Sequence, residues 1–103
     1  YPTHQRRLLP RLATAYVLHF ALEGLRDQYG AAMQPNATEE ARRDTEAAAA
    51  ALKALASDFA SATAHACREA CGAQGYLSRN RLPALLCDVN IFTTFEGDNT
   101  VLK

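Results

Sequence analysis

Apolar residues in the first third of the chain recur at Leu8, Leu12, Ala15, Leu18, Leu22, Leu25 and Tyr29. Steps of three and four are the period of an α-helix with one buried stripe, so the pattern predicts a helix from Leu8 to about Tyr29. Pro10 then falls in the first turn, where a missing amide costs little, and Gly30 supplies a stop. Residues Ala31 to Ala37, with Pro35-Asn36 inside, read as a loop. Thr38 reads as the N-cap of a second helix, with Glu39 and Glu40 in a first turn whose dipole favours acids. That helix is predicted from Glu39 to Cys71. Ala47 to Ala51 are strong helix formers, and a stripe follows at Leu52, Leu55, Phe59, Ala62 and Ala66. Gly72 and Gly75 end the helix and open a loop that runs to Phe95. Only the five residues from Asn90 to Thr94 read as strand-like. The expected fold class is all-α, part of an antiparallel four-helix-bundle domain. It comprises two long helices, a connecting loop and the start of a further helix at the C-terminus.

Composition narrows the function classes. Eleven basic residues balance eleven acidic ones, so there is no electrostatic footprint for nucleic acid or an anionic membrane. The small basic clusters Arg6, Arg7, Arg11 and Arg79, Arg81 read as solvated faces. No apolar run approaches the roughly 20 residues of a membrane span. Cys67, Cys71 and Cys87 form an odd set with no secretory signal ahead of them, which predicts buried free thiols in a reducing, cytoplasmic setting. A chain of 103 residues makes one domain at most, burying roughly two-thirds of its unfolded surface. It opens on Tyr1 close to a helical pattern and stops at Val101-Leu102-Lys103 as a new apolar helix begins. Residues 1–103 are therefore expected to be a domain cut at both ends.

Most candidate chemistry has a simpler explanation. Cys67 and Cys71 share a helical face, but a structural zinc needs two further ligands and His65 points to another face, so no metal site is expected. His19 sits on an otherwise apolar face and reads as a core or interface histidine. The run Cys71-Gly72-Ala73-Gln74-Gly75-Tyr76 follows a helix and not a strand. It is no dinucleotide fingerprint, and plain helix termination accounts for it. The segment Thr93-Thr94-Phe95-Glu96-Gly97-Asp98-Asn99-Thr100 says more. It turns at Gly97 and feeds a helix capped by Asp98 or Asn99. Glu96 beside Phe95 is either a solvated acid or a desolvated carboxylate raised toward a general base. Spacing alone favours the solvated acid.

The order of three motifs adds a second source of inference. Cys67-Arg68-Glu69-Ala70-Cys71-Gly72-Ala73-Gln74-Gly75-Tyr76-Leu77, then Asn80-Arg81-Leu82-Pro83, then Thr93 to Leu102 closely resemble the C-terminal helical domain of the acyl-CoA oxidases. The opening Tyr1 to Pro10, with Ala15-Tyr16, resembles the start of that domain, so the resemblance covers essentially the whole chain. Gly97-Asp98-Asn99 after the glutamate is the oxidase form. The sister acyl-CoA dehydrogenases usually have Gly-Thr, a small residue and Gln.

The resemblance implies that Glu96 is the catalytic base, removing the pro-R α-proton of a fatty acyl-CoA. The β-hydrogen leaves as hydride to N5 of FAD, giving the trans-2-enoyl-CoA of fatty acid β-oxidation, and oxygen is reduced to hydrogen peroxide. It further implies FAD contacts at His4 and Gln5, and at Gly97, Asp98 and Asn99, with Gly97 also meeting substrate. Glu69, Gly72 and Ala73 fall where a run of the family touches the FAD of a neighbouring subunit, which implies a homo-oligomer. Ala73 departs from a second glycine and Glu69 from the dehydrogenases' neutral Gln; Leu86 and Cys87 stand where more polar residues are usual. The resemblance implies partner domains as well, an N-terminal helical one and a middle β-domain. The isolated 103-residue chain is accordingly expected to bind no flavin and turn over no substrate. Two other readings stay open: a dehydrogenase passing electrons to a flavoprotein, and a truncated, non-catalytic helical module that pairs with itself or a homologue.

Overall fold

The computed structural model describes residues 1–103 and contains α-helices and 3₁₀ turns but no strand. Helix α1 spans Pro2–Ala32, α2 Glu39–Ala70, α3 Leu82–Asn90 and α4 Asn99–Leu102. The all-α expectation holds, with the two long helices in place.

Helix α1 starts six residues before the predicted Leu8, because the fixed φ of Pro2 suits the first helical position. Pro10 therefore lies inside the helix instead of in its first turn, leaving the Arg6 carbonyl without its usual donor. Nor does Gly30 stop the helix, which continues to Ala32 and breaks ahead of Pro35. Arg42, in the first turns of α2, donates from Nε to the Ala32 carbonyl at 3.2 Å and from Nη2 to the Gln34 carbonyl at 3.3 Å. It thereby satisfies terminal carbonyls that the helix leaves open. Thr38 caps α2 as predicted, its hydroxyl accepting from the Ala41 amide at 3.1 Å. Arg7 pairs with Glu69, and Arg11 donates to the Thr63 hydroxyl at 3.3 Å. The start of α1 thus lies beside the end of α2, and the pair is antiparallel.

The predicted loop from Gly72 to Phe95 contains a helix, α3. Its signals are Pro83 at the helix start and apolar residues at Leu82, Leu85, Leu86 and Val89, a helical spacing. The strand-like residues Asn90 to Thr94 are helical too, forming the end of α3 and a 3₁₀ turn at Ile91–Thr93.

Burial departs furthest from expectation. Only 8 of 103 residues are buried, and the Cα radius of gyration is 16.9 Å where a compact chain of this length has about 13 Å. On α1, Leu8, Leu18 and Leu25 are half-buried, but Leu12, Leu22 and Tyr29 of the predicted stripe are exposed. On α2, Leu55 is 62% exposed, while the buried positions are Arg68 and the small Thr45, Ala54, Ser57 and Ala66. Two antiparallel helices cover only a narrow line on one another, whereas a bundle stripe expects neighbours on two sides. The second line on α2 receives α3 and α4 at close range, which selects small side chains there.

Candidate functional site

The segment from Thr93 to Lys103 is fastened to the middle of α2 by one buried side chain. Asn99, 5% exposed, donates from Nδ2 to the Asp58 carboxylate at 2.6 Å, to the Ser57 hydroxyl at 2.8 Å and toward the Ala54 carbonyl at 3.2 Å. Its Oδ1 accepts from Lys53 Nζ at 2.8 Å. The same ammonium donates to the Gly97 carbonyl at 2.5 Å, and Lys103 closes the far side on Asp58 at 2.5 Å. These bonds leave no buried side-chain polar atom without a partner, which is what a polar group at this depth requires.

Asp98, not Asn99, is the N-cap of α4, its carboxylate accepting from the Thr100 amide at 2.8 Å. That bond holds the Asp98 carboxyl below its ordinary pKa. Lys103 foremost, and Asn99 after it, do the same for Asp58. Glu96 and Gly97 both have positive φ, 58° and 102°. A Cβ at Gly97 would lie 3.1 Å from a Leu102 methyl carbon, so glycine serves both the conformation and the packing. Phe95 turns its ring edge-on to Phe92, 5.3 Å between centroids. It does not wall off Glu96, which is exposed and takes part in no ion pair or side-chain hydrogen bond of this chain. The desolvation considered for Glu96 is therefore not supplied by residues 1–103.

The other expected site residues lie at the far end of α2. From Lys53 to Glu69 the helix rises roughly 24 Å. Glu69 is engaged by Arg7, and by His65 Nε2 at 3.1 Å. Gly72 follows α2 with φ of 56° and open space where a side chain would sit; Ala73 is exposed. A Cβ at Gly75 would overlap the Arg68 carbonyl, so this glycine is a packing requirement. Arg68 is itself nearly buried, its guanidinium 4.6 Å from the centre of the Tyr76 ring. His4 and Gln5 are exposed on the first turns of α1, which lie beside this end of α2. The structure thus groups Glu96, Gly97, Asp98 and Asn99 at one station, and His4, Gln5, Glu69, Gly72 and Ala73 at another.

Several polar residues behave differently from expectation. Cys71 and Cys87 are exposed and Cys67 is half-buried, where buried thiols were expected. His19 is exposed and meets only the neighbouring Phe20 edge, 5.3 Å away. Lys53, Ser57 and Asp58 were not singled out from the sequence. Their signal was there: Lys53 and Ser57 are one helical turn apart, polar interruptions of an Ala- and Leu-rich helix.

The family described as "Acyl-CoA oxidase, C-alpha1 domain" matches residues 1–103. Acyl-coenzyme A oxidase 2, peroxisomal, of Arabidopsis thaliana is 41% identical over 102 residues, covering 99% of this chain and 15% of its own length. Peroxisomal acyl-coenzyme A oxidase 3 of Homo sapiens is 42% identical over 109 residues, covering 99% and 16%. Peroxisomal acyl-coenzyme A oxidase 2 of Oryctolagus cuniculus is 36% identical over 104 residues, covering 99% and 15%. The chain thus spans about 15% of the length of the curated relatives it matches. No solved structure matches it. No helix is long and apolar enough to cross a membrane. These relatives are named as peroxisomal proteins, which gives the cytoplasmic expectation no support. With the match running from Tyr1 to Lys103, the chain belongs to the acyl-CoA oxidase C-alpha1 domain family.

Proposed function

We propose that residues 1–103 are the domain carrying the catalytic base of an FAD-dependent acyl-CoA oxidase, with Glu96 as the base. One observation carries this reading. Glu96 is the one acid of its loop left free, while Asp98, Asn99 and Gly97 around it are each fixed by hydrogen bonds. A free carboxylate on a fixed backbone is what proton abstraction from carbon needs, because the α-C–H beside a thioester is weakly acidic and tolerates little misplacement. In the reaction Glu96 takes the α-proton, the C–H electron pair becomes the new C=C bond, and the β-hydrogen departs with its own pair. Bound FAD would supply the acceptor for that pair, with oxygen as the final oxidant and hydrogen peroxide as its product.

The residues present fit such a cofactor unevenly. His4 and Gln5 have free side chains, and the backbone at Gly72 and Ala73 is uncovered; these would hold FAD, with the Gly97 turn beside the base. Glu69 is occupied by Arg7 and His65, and the amide of Asn99 by α2. Their contribution is to shape, not to direct cofactor bonds. The rise of roughly 16 to 24 Å along α2 from the Lys53–Asp58 anchor to Glu69 supports a flavin site shared between subunits. In that arrangement the end of α2 serves the FAD of a neighbour in a homo-oligomer. The exposed Leu12, Tyr16, Phe20 and Leu55 favour further helices over α1 and α2, in the same chain or the neighbour. The relatives' names support a peroxisomal compartment in place of the cytoplasmic one.

The test uses the full-length enzyme in air. With an acyl-CoA, hydrogen peroxide is expected in equal amount to enoyl-CoA formed. Dye or flavoprotein reduction without peroxide would assign the chain to the dehydrogenases instead. A purified full-length protein with neither flavin nor turnover would leave the helical module.

A further inference from the structure

The chain contains two lysines, Lys53 and Lys103, and both converge on the Asp58–Asn99 cluster. They hold different partners. Lys103 reaches only Asp58, from the end of α4. Lys53 reaches Asn99 and donates to the carbonyl of Gly97, the residue after Glu96.

That contact falls where the backbone is strained. Glu96 at φ of 58° carries a Cβ in the left-handed region, which L-residues adopt only at a cost and which persists only where surrounding structure over-determines it. Leu102 packs on Gly97, and Asp98 caps Thr100, but both belong to the loop and α4 themselves. Lys53 comes from a 32-residue helix, so its bond references the turn to a rigid element outside the loop. Asn99 anchors α4 to the same stretch of that helix, at Lys53, Ala54, Ser57 and Asp58.

We propose that Lys53 is a positioning residue for Glu96: its ammonium fixes the Gly97 carbonyl and so the left-handed turn that aims the Glu96 carboxylate. This rests on Glu96 being the base. Lys103 is the built-in comparison, a cation of the same cluster that does not touch the turn.

The experiment is rapid mixing of the full-length, flavin-loaded enzyme with lauroyl-CoA without oxygen, following flavin bleaching with ordinary and α-deuterated substrate. Wild type, Lys53→Met, Lys103→Met and Glu96→Gln are compared, with flavin content and Tm recorded for each. Lys53→Met is expected to keep its flavin and its apparent affinity for lauroyl-CoA while bleaching about 10²-fold more slowly. It should also show a larger α-deuterium isotope effect, because misaiming the base makes proton removal more rate-limiting. Lys53→Arg, which restores a donor, should recover most of the rate, and Lys103→Met should bleach like wild type. A wild-type rate and isotope effect in Lys53→Met, or an equal loss in Lys103→Met, overturns the proposal. Should Lys53→Met not retain flavin, Lys53→Gln, too short to hold the Gly97 carbonyl, is measured instead. A raised isotope effect in that variant supports the role, and a wild-type one overturns it. If Glu96→Gln bleaches normally, the base assignment falls and the positioning role with it. If Glu96→Gln is inactive while Lys53→Met is normal, only the positioning role falls.

Discussion

Glu69 belongs to α2 and Glu96 to the loop fastened on it at Lys53–Asp58, and the molecule treats the two acids in opposite ways. Around Glu96 everything is fixed except the carboxylate: Gly97 is held by Lys53, Asp98 caps α4, and Asn99 is buried against α2. At Glu69 the carboxylate itself is the connector, joining α1 through Arg7 and its own helix through His65. An acid that links two helices does structural work, whereas an acid left over from a satisfied network is available for chemistry. Both residues were picked out by the same family motifs, and the geometry separates their surroundings: one carboxylate is tied, the other free.

Substitutions around the middle and the C-terminal end of α2 should differ in their cost to thermal unfolding of the full-length enzyme. Gly75→Ala should have the largest effect, about 3 kcal/mol of overpacking, because its Cβ would overlap the Arg68 carbonyl at the end of α2. Asn99→Ala comes next, at about 2 kcal/mol, the usual cost of orphaning buried hydrogen-bonding partners; here Ala54, Ser57 and Lys53 lose theirs. Glu69→Gln should cost less than about 1 kcal/mol, as expected of a pair exposed on both sides. A larger loss there would mean the tied acid matters more to the fold than the buried cluster does.

The smallest effect is in acid. The Asp58 and Asp98 carboxyls are held below their ordinary value of 3.8 when folded. Their contribution is therefore present above that value and lost as pH falls through the lower folded one. A Tm profile from pH 6 to pH 3 should fall less steeply in Asp58→Asn than in wild type. Asp98→Asn should change little at neutral pH, since asparagine also caps helices well.

How much of this was legible in the sequence differs between the same two regions. Thr38 and Asp98 announced their helices because capping is a local code, readable within four residues. The bounds of α1 failed locally as well: Pro2 was the stronger start signal, and Gly30 was no stop because nothing ended the helix until Pro35. Helix α3 was hidden because a nine-residue element flanked by 3₁₀ turns carries few periods to read. The burial pattern was out of reach for a different reason. Leu55 and Leu12 follow the apolar period faithfully yet are exposed, since which face a stripe buries depends on partners the period does not name. Glu96 was legible as a motif, but its free carboxylate and the Lys53 clamp depend on contacts between residues more than forty positions apart.

Anaerobic flavin bleaching in full-length Glu96→Gln mixed with saturating acyl-CoA decides whether Glu96 is the proton-abstracting base. With Glu96 as the base, the variant keeps its flavin and an unchanged resting spectrum, and bleaches about 10³-fold or more slowly. Bleaching at the wild-type rate would contradict that assignment.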